Sequence, residues 1–330
     1  EKAYIYTAKN LIKILKQNEN DCELLSMSFS HSFGLTRLRC CLITGQKIYI
    51  TDGLKNFPEI YLNKKIVKYN SISMVPSALS IIKNLLKNNS KKFCSDIKYV
   101  EIGSSFINKN LRLWLKSNFK QANIMHHYGS TEASRSFFTK RGLLDNFSID
   151  ETWIGKPVKE LKYKLKISKD VKNKEIKELL LSGPNISEGY IFGDKGVANV
   201  KFKKWYKTKD LVIKKNHKLY LVGKLTSLIN VGGEKVLPEE IEHLLETISE
   251  IKNALCGSLK DDIFGERIGA LITLNKMEKI DFDKIRNKIR RKVEKLPSFK
   301  KIKGFKIVEK IPLTINGKKN RNIDLFRKKF

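Results

Sequence analysis

Four short strings hold the side chains best suited to chemistry. In chain order they are Tyr128-Gly129-Ser130-Thr131-Glu132, Tyr206-Lys207-Thr208-Lys209-Asp210, Gly223-Lys224 running into Asn230-Val231-Gly232-Gly233-Glu234-Lys235, and Pro312-Leu313-Thr314-Ile315-Asn316-Gly317-Lys318. Between them they offer an aromatic face, hydroxyls, carboxylates and lysine ammonium groups. Such a set can stack on a flat ring, ligate a hard cation through oxygen, bridge two neighbouring hydroxyls and balance anionic charge. Each string alone says little, because a five-residue turn with one glycine and one acid recurs by chance and reads equally well as a strand-to-loop bend. All four in one order, at workable separations, are much harder to obtain by accident.

Turns of this kind need strands that end at them. The run 47–51 is β-prone, and Pro76 opens a helix with Leu79, Ile82, Leu85 and Leu86 on one face. A strand over 97–102 ends at Gly103-Ser104-Ser105, residues 110–118 read as a helix, and a strand over 122–126 leads into the Tyr128 string. This alternation predicts an α/β architecture with a mainly parallel sheet. In such sheets ligands sit beyond the carboxyl ends of the strands, the place held by Gly103-Ser104-Ser105 and Tyr128-Gly129.

From 152 to 222 the texture changes to short β-prone runs (163–167, 178–181 and 218–222), punctuated by Gly183-Pro184-Asn185 and Ser187-Glu188-Gly189-Tyr190. These predict a small, largely antiparallel subdomain. After Thr226 comes a compact α+β unit. Pro238-Glu239-Glu240-Ile241-Glu242 puts proline and acids in a first helical turn, and Phe282, Ile285, Ile289, Val293 and Leu296 form an apolar stripe at helical spacing. The basic reverse side of that stripe, 288–292, reads as a solvated surface. The chain shows no internal repeat.

At 330 residues with 41% hydrophobic content the chain can bury a substantial core and is not of disordered composition. No apolar run approaches the roughly 18 residues of a membrane-spanning helix, and no signal peptide opens the chain. Cys22, Cys40, Cys41, Cys94 and Cys256 show neither a CxxC nor a Cys/His metal spacing. They read as reduced, mostly buried thiols of a cytoplasmic protein. The net charge of +32 invites a nucleic-acid partner. The cations, however, are 55 lysines against 11 arginines, spread from Lys2 to Lys329 among abundant Asn and Ile. That mixture reads as the bias of an AT-rich genome. A phosphate-reading surface would favour arginine, whose planar fork binds phosphate in bidentate fashion.

The ordered strings resemble the adenylate-forming superfamily of acyl-CoA synthetases, peptide adenylation domains and luciferase, over nearly the whole chain. The resemblance implies a larger N-terminal AMP-binding domain (1–225), with mainly parallel sheets and a small β-rich subdomain, and a small mobile C-terminal lid (226–330). It also implies ATP-dependent activation of a carboxylic acid to an acyl-adenylate with loss of pyrophosphate, followed by thioester formation. Positioning and charge stabilisation are the catalysis in such a reaction.

By that resemblance Tyr128 lies against adenine, with Gly129 in the same turn, Thr131 contacts the nucleotide phosphate and Glu132 holds Mg2+. Gly103 and Ser104 fall at a glycine-rich turn against adenine. Asp210 accepts from the ribose hydroxyls, and Lys224 replaces an arginine that touches ribose. Lys209 stands where the family usually has glycine. Thr226 falls at the interdomain hinge. Gly232 and Gly233 line the tunnel for the pantetheine arm of CoA or of an acyl carrier protein. His31, in Ser30-His31-Ser32-Phe33-Gly34-Leu35, resembles the gate beside the acyl pocket. Lys318 bridges the incoming carboxylate and the α-phosphate. Gly183, Gly189 and Tyr190 match a segment read as structural only.

The family's phosphate loop is expected upstream of a helix. Residues 1–7 read like the segment immediately downstream of that loop, with Lys2 as its terminal lysine, so the chain is expected to begin inside such an enzyme. The Gly-Gly-Glu-Lys-Val-x-Pro-x-Glu-Ile-Glu and SHSFGL strings favour a fatty or other hydrophobic acid. Three alternatives remain open: an amino-acid adenylation domain, a non-catalytic nucleotide-binding remnant, and a basic nucleic-acid-binding protein.

Overall fold

The computed structural model of the 330-residue chain describes every residue except 56, 58, 64–66, 87–88, 141–143, 147–149, 191–199, 203, 276–280 and 315–318. By internal contacts the chain divides into two compact units. The first comprises 1–164, 180–208 and 214–220, and the second 165–179, 209–213 and 221–330.

The first unit is built on seven strands: β1 (Cys22–Leu25), β2 (Lys47–Ile50), β3 (Ser71–Met74), β4 (Tyr99–Gly103), β5 (Asn123–Tyr128), β6 (Phe137–Lys140) and β7 (Lys156–Pro157). Their order is β2-β1-β3-β4-β5-β6-β7. The first four pairings are parallel and the last two antiparallel. Every residue of β3 and β4 is buried, as expected of parallel strands covered on both faces. Helices α1 (Lys2–Leu15), α2 (Ser32–Thr44), α3 (Glu59–Leu62), α4 (Pro76–Leu86), α5 (Ser90–Cys94) and α6 (Lys109–Asn118) alternate with the strands. Ile72, Met74, Val100, Ile102 and Ile124 pack with Leu79, Ile82, Phe93, Leu111, Trp114 and Phe119 in one core. The α6 boundary is sharp because the Asn108 side chain accepts from Leu111 N–H at 2.9 Å.

One sequence expectation fails in α4. Leu79, Ile82 and Leu86 are buried, but Leu85 is 55% exposed. At 100° per residue, Leu85 lies off the arc that the other three share.

Strands β8 (Lys162–Ile167), β9 (Ile176–Ser182), β12 (Tyr206–Lys215) and β13 (Lys218–Lys224) form a sheet ordered β13-β12-β9-β8, and β10 (Gly189–Tyr190) pairs antiparallel with β11 (Val200–Lys201).

In the second unit, β14 (Ile229–Val231), β15 (Glu234–Val236), β16 (Ile251–Asp261), β17 (Gly265–Leu274) and β18 (Ile302–Ile307) make one sheet. It is accompanied by α7 (Pro238–Glu246), α8 (Phe282–Glu294) and α9 (Ile323–Lys329). Pro238 stands at the first helical positions of α7 with Glu239 and Glu240 in its first turn, as read from the sequence. The α8 stripe buries Ile285, Ile289 and Val293 against Ala254, Cys256, Ile268 and Ile272. Phe282, in the first turn, stays 49% exposed.

Candidate active site

In the first unit two strands release their chains side by side. The parallel register pairs Gly103, the last residue of β4, with His127, one residue before the end of β5. The Gly103-Ser104-Ser105 turn and the Tyr128 loop therefore leave the same edge of the sheet. A Cβ at Gly103 would fall 2.2 Å from two atoms of the His127 ring, so any side chain there would force the ring to move. Ser104 takes φ 83°, the left-handed region that non-glycine residues seldom occupy. Tyr128 packs edge-on to Phe137, its register partner, with ring centroids 5.8 Å apart.

The loop after Tyr128 folds tightly back on itself. A Cβ on Gly129 would meet Arg135 N at 2.5 Å and Ala133 O at 2.8 Å. Ser130 N donates to Ala133 O at 3.2 Å, and Ala133 N donates to Ser130 Oγ at 3.2 Å. This closure leaves Thr131 exposed at the tip and Glu132 half-buried beside it.

Glu132 is held more closely than its string suggests. The Tyr190 hydroxyl donates to its Oε1 at 2.6 Å, and its carbonyl accepts from both Ser187 N and Ser187 Oγ. Burial pushes the Glu132 carboxyl up, but hydrogen bonds from Tyr190, from its own backbone, from Ser130 and from Tyr206 outweigh that and leave it below its ordinary value. The three aromatic rings Tyr190, Phe202 and Tyr206 follow one another at 5.0 and 4.9 Å. Tyr190, read from the sequence as structural only, thus touches the carboxylate that ends the first string.

Beneath this loop lies a buried ionic network that the motifs did not indicate. Glu101 on β4 accepts a hydrogen bond from Arg135 Nε at 2.7 Å, while His127 Nδ1 lies 2.9 Å and Arg37 Nη1 3.3 Å from its carboxylate oxygens. Arg37, on α2, also pairs with Glu23 of β1, its Nε lying 2.8 Å from Glu23 Oε1. Glu23, Arg37 and Glu101 have no exposed side-chain surface. Burial would raise the Glu101 carboxyl, but Arg135, His127 and Arg37 hold it well below the usual carboxylate range. Burial lowers His127, against the pull of Glu101. Arg135 has φ 51°, a strain of about 1–2 kcal/mol for a residue with a Cβ. The available signal was arginine itself, scarce in so lysine-rich a chain.

His31 forms the N-terminal boundary of α2, its carbonyl accepting from Leu35 N–H at 3.0 Å. Gly34 behind it admits no side chain, since a Cβ would sit 2.3 Å from Ser28 O.

In the second unit Asp210 is 4% exposed and pairs with Lys224 Nζ at 3.0 Å. Lys209, where the resembled family usually has glycine, adopts φ 61°. Lys209 thus takes left-handed backbone within β12, a conformation that glycine would adopt without strain. Thr226 is exposed within a short 3-10 turn, Leu225–Ser227. Gly232 and Gly233 are the two central residues of the β14–β15 hairpin, with φ 58° and 90°. Positive φ at both positions is what a two-residue hairpin demands, which accounts for both glycines. Lys318 lies outside the described residues. After it, Lys319 and Arg321 pair with Glu242 of α7.

The residues 2–191 match the model of the AMP-binding enzyme, and 240–318 match that of the AMP-binding enzyme C-terminal domain. The chain belongs to the AMP-binding enzyme family. Among its relatives, the 2-succinylbenzoate–CoA ligase of Listeria innocua is 26% identical over 318 residues, covering 96% of this chain and 64% of the relative. The D-alanine–D-alanyl carrier protein ligase of Bacillus licheniformis is 24% identical over 308 residues, covering 89% of this chain and 60% of the relative. The fold superposes on the o-succinylbenzoate CoA synthetase of Bacillus subtilis bound to its acyl-adenylate intermediate. That match has a TM-score of 0.73 and 22% identity, and covers 97% of this chain and 64% of that one. It also superposes on the amide bond synthetase of Marinactinospora thermotolerans, with a TM-score of 0.78 and 18% identity, covering 100% and 66%. The AMP-binding chain thus spans under two-thirds of the length of these curated relatives. Their names carry succinylbenzoate and D-alanine, and lend no support to the fatty-acid expectation.

Proposed function

We propose that this chain is the nucleotide-handling portion of an AMP-forming acid–thiol ligase, which joins a carboxylate to the α-phosphate of ATP, releases pyrophosphate and passes the acyl group to a thiol. The observation that carries the reading is the register of β4 and β5. It presents the Gly103 turn and the Tyr128 loop together at the carboxyl edge of a parallel sheet, where α/β proteins bind ligands.

The residues at that edge fit a nucleotide. Gly129 lets backbone come close where a side chain would collide, and Gly103 leaves room for the His127 ring. Tyr128 offers a ring face for adenine, and Thr131 an exposed hydroxyl for phosphate. Glu132, kept ionised by its hydrogen bonds, fits a hard divalent cation that is otherwise bound by phosphate and water. When bound, Mg2+ would neutralise phosphate charge. Asp210 offers two acceptor oxygens to a ribose diol beside the cation of Lys224. Lys318 is assigned to the carboxylate and α-phosphate. Thr226 is assigned to the hinge between an AMP-binding domain (1–225) and a lid (226–330). His31, Gly232 and Gly233 are assigned to the acyl gate and to the path of CoA or a carrier-protein pantetheine.

The relatives favour an aromatic or other hydrophobic acid as substrate over a fatty one. An amino acid is the second reading, supported by the D-alanine ligase. Isothermal titration with AMP tests the nucleotide site. Tyr128→Ala and Asp210→Ala are each expected to weaken binding at least about tenfold, the loss of one well-placed contact. A variant that binds AMP as wild type does removes that residue from the nucleotide site. Carboxylate-dependent ATP–pyrophosphate exchange by the full-length protein, run with 2-succinylbenzoate, a fatty acid and D-alanine, decides the substrate class.

A further inference from the structure

We propose that Glu101 is a positioning residue: it ties the Gly103 turn, the Tyr128 loop and the first turns of α2 into one rigid floor beneath the nucleotide. The proposal rests on the nucleotide reading above and adds residues that the motifs leave out.

Three separate elements converge on this one carboxylate. Arg37 comes from α2, His127 from β5 and Arg135 from the far end of the Tyr128 loop. Each contact controls a piece of the site. The His127 ring fills the space that a side chain at Gly103 would take, so ring and turn are packed directly against each other. Arg135 closes the loop that carries Thr131 and Glu132, and its backbone is left-handed, a conformation that the fixed guanidinium helps to hold. The same guanidinium reaches Phe33 O at 3.4 Å and lies over the Phe33 ring at 5.1 Å, while Phe33 meets His127 edge-on at 5.1 Å. Phe33 stands two residues after His31. A second layer continues outward, with Gln17, Gln46 and Tyr99 gathered around Glu23 and Arg37.

Stability alone is a poor reason for such a network. Charges taken fully out of water recover their desolvation cost only when every partner is well placed, and apolar side chains of equal volume often serve the fold as well or better. A rigid, dry set of bidentate and charge-assisted contacts does confer fixed geometry.

The test uses the whole chain, with AMP as the probe. It compares wild type, Glu101→Gln and the charge-balanced pair Glu101→Gln with Arg135→Gln by three readouts: AMP affinity, urea stability and amide hydrogen exchange at 103–105 and 128–136. Glu101→Gln is expected to weaken AMP at least about tenfold and to speed exchange in both segments. The balanced pair is expected to regain urea stability without regaining affinity. If affinity and stability return together, or if Glu101→Gln binds AMP as wild type does, the positioning role is overturned. Should Glu101→Gln fail to fold, Arg135→Lys keeps the charge and loses the fork. The same loss of affinity in that folded variant sustains the proposal, and unchanged affinity overturns it. Absence of AMP binding by wild type would instead overturn the nucleotide reading, and it is seen before any variant is made.

Discussion

The two units treat paired charges differently. In the first, Glu23, Arg37 and Glu101 have 0% side-chain exposure, and water cannot substitute for any partner. In the second, Glu242 of α7 binds Arg321 and Lys319, and these two cations keep 25% and 28% of their surface in water. The pairs are chemically alike, but the surroundings set what each can do. In a dry interior a displaced cation has nowhere to go, so the network dictates geometry. Where the cations reach water and only the carboxylate is buried, the pair acts as an anchor for the C-terminal segment, its cations replaceable in part by solvent.

The largest effect should come from breaking the dry network without balancing it. Glu23→Ala removes Arg37's closest carboxylate and leaves it only the 3.3 Å contact to the Glu101 carboxylate, in a dry interior with one cation in excess, and urea unfolding should show a loss of about 3–5 kcal/mol. A loss no larger than that of an exposed pair would erase the contrast. Arg321→Ala sharpens it from the other side. Glu242 is itself buried but keeps Lys319, whose ammonium reaches water, so the expected cost is about 1–2 kcal/mol, between the values of exposed pairs and of buried charged hydrogen bonds. Hydrogen exchange should accelerate over 319–330 and leave the sheet of the first unit untouched. Spread of the effect into that sheet would contradict the anchor.

The smallest effect is a matter of pH. Burial lowers His126 from 6.5 to about 4, while its Nε2 lies 2.9 Å from Ser105 O beside the Gly103 turn. The unfolded chain therefore binds a proton that the folded one resists. His126 costs nothing above about pH 6.5, and stability falls as the pH drops from there toward 4, by at most about 1.4 kcal/mol per pH unit. His126→Gln should flatten this slope in melts between pH 7 and 5. An unchanged slope would assign it to other groups.

Much of the site could be read from the chain, and the parts that could not share a cause: they depend on distant partners. Gly103, Tyr128 and Gly129 stand at strand ends because β-prone runs stop where a glycine permits a turn, and both facts are local. Leu85 misled for a simpler reason, because a count of apolar residues ignores the 100° step that takes it off the buried face. The contact of Tyr190 with Glu132 spans 58 residues, a separation over which no local rule operates. Arginine usage was a readable clue that motif spacing did not exploit. Among the described arginines, Arg37, Arg112, Arg135 and Arg321 each use the planar fork on more than one acceptor.

The order of elements, the glycine turns and the family strings were determined by the sequence itself, because these rest on backbone preference, hydrophobic period and short-range spacing. The tertiary structure decided which side chains stand behind the strings. Glu101, His127, Arg135 and Arg37 become one network only when β4, β5 and α2 are brought together. The strength of that network depends on the absence of water around it, and no stretch of sequence carries that information by itself.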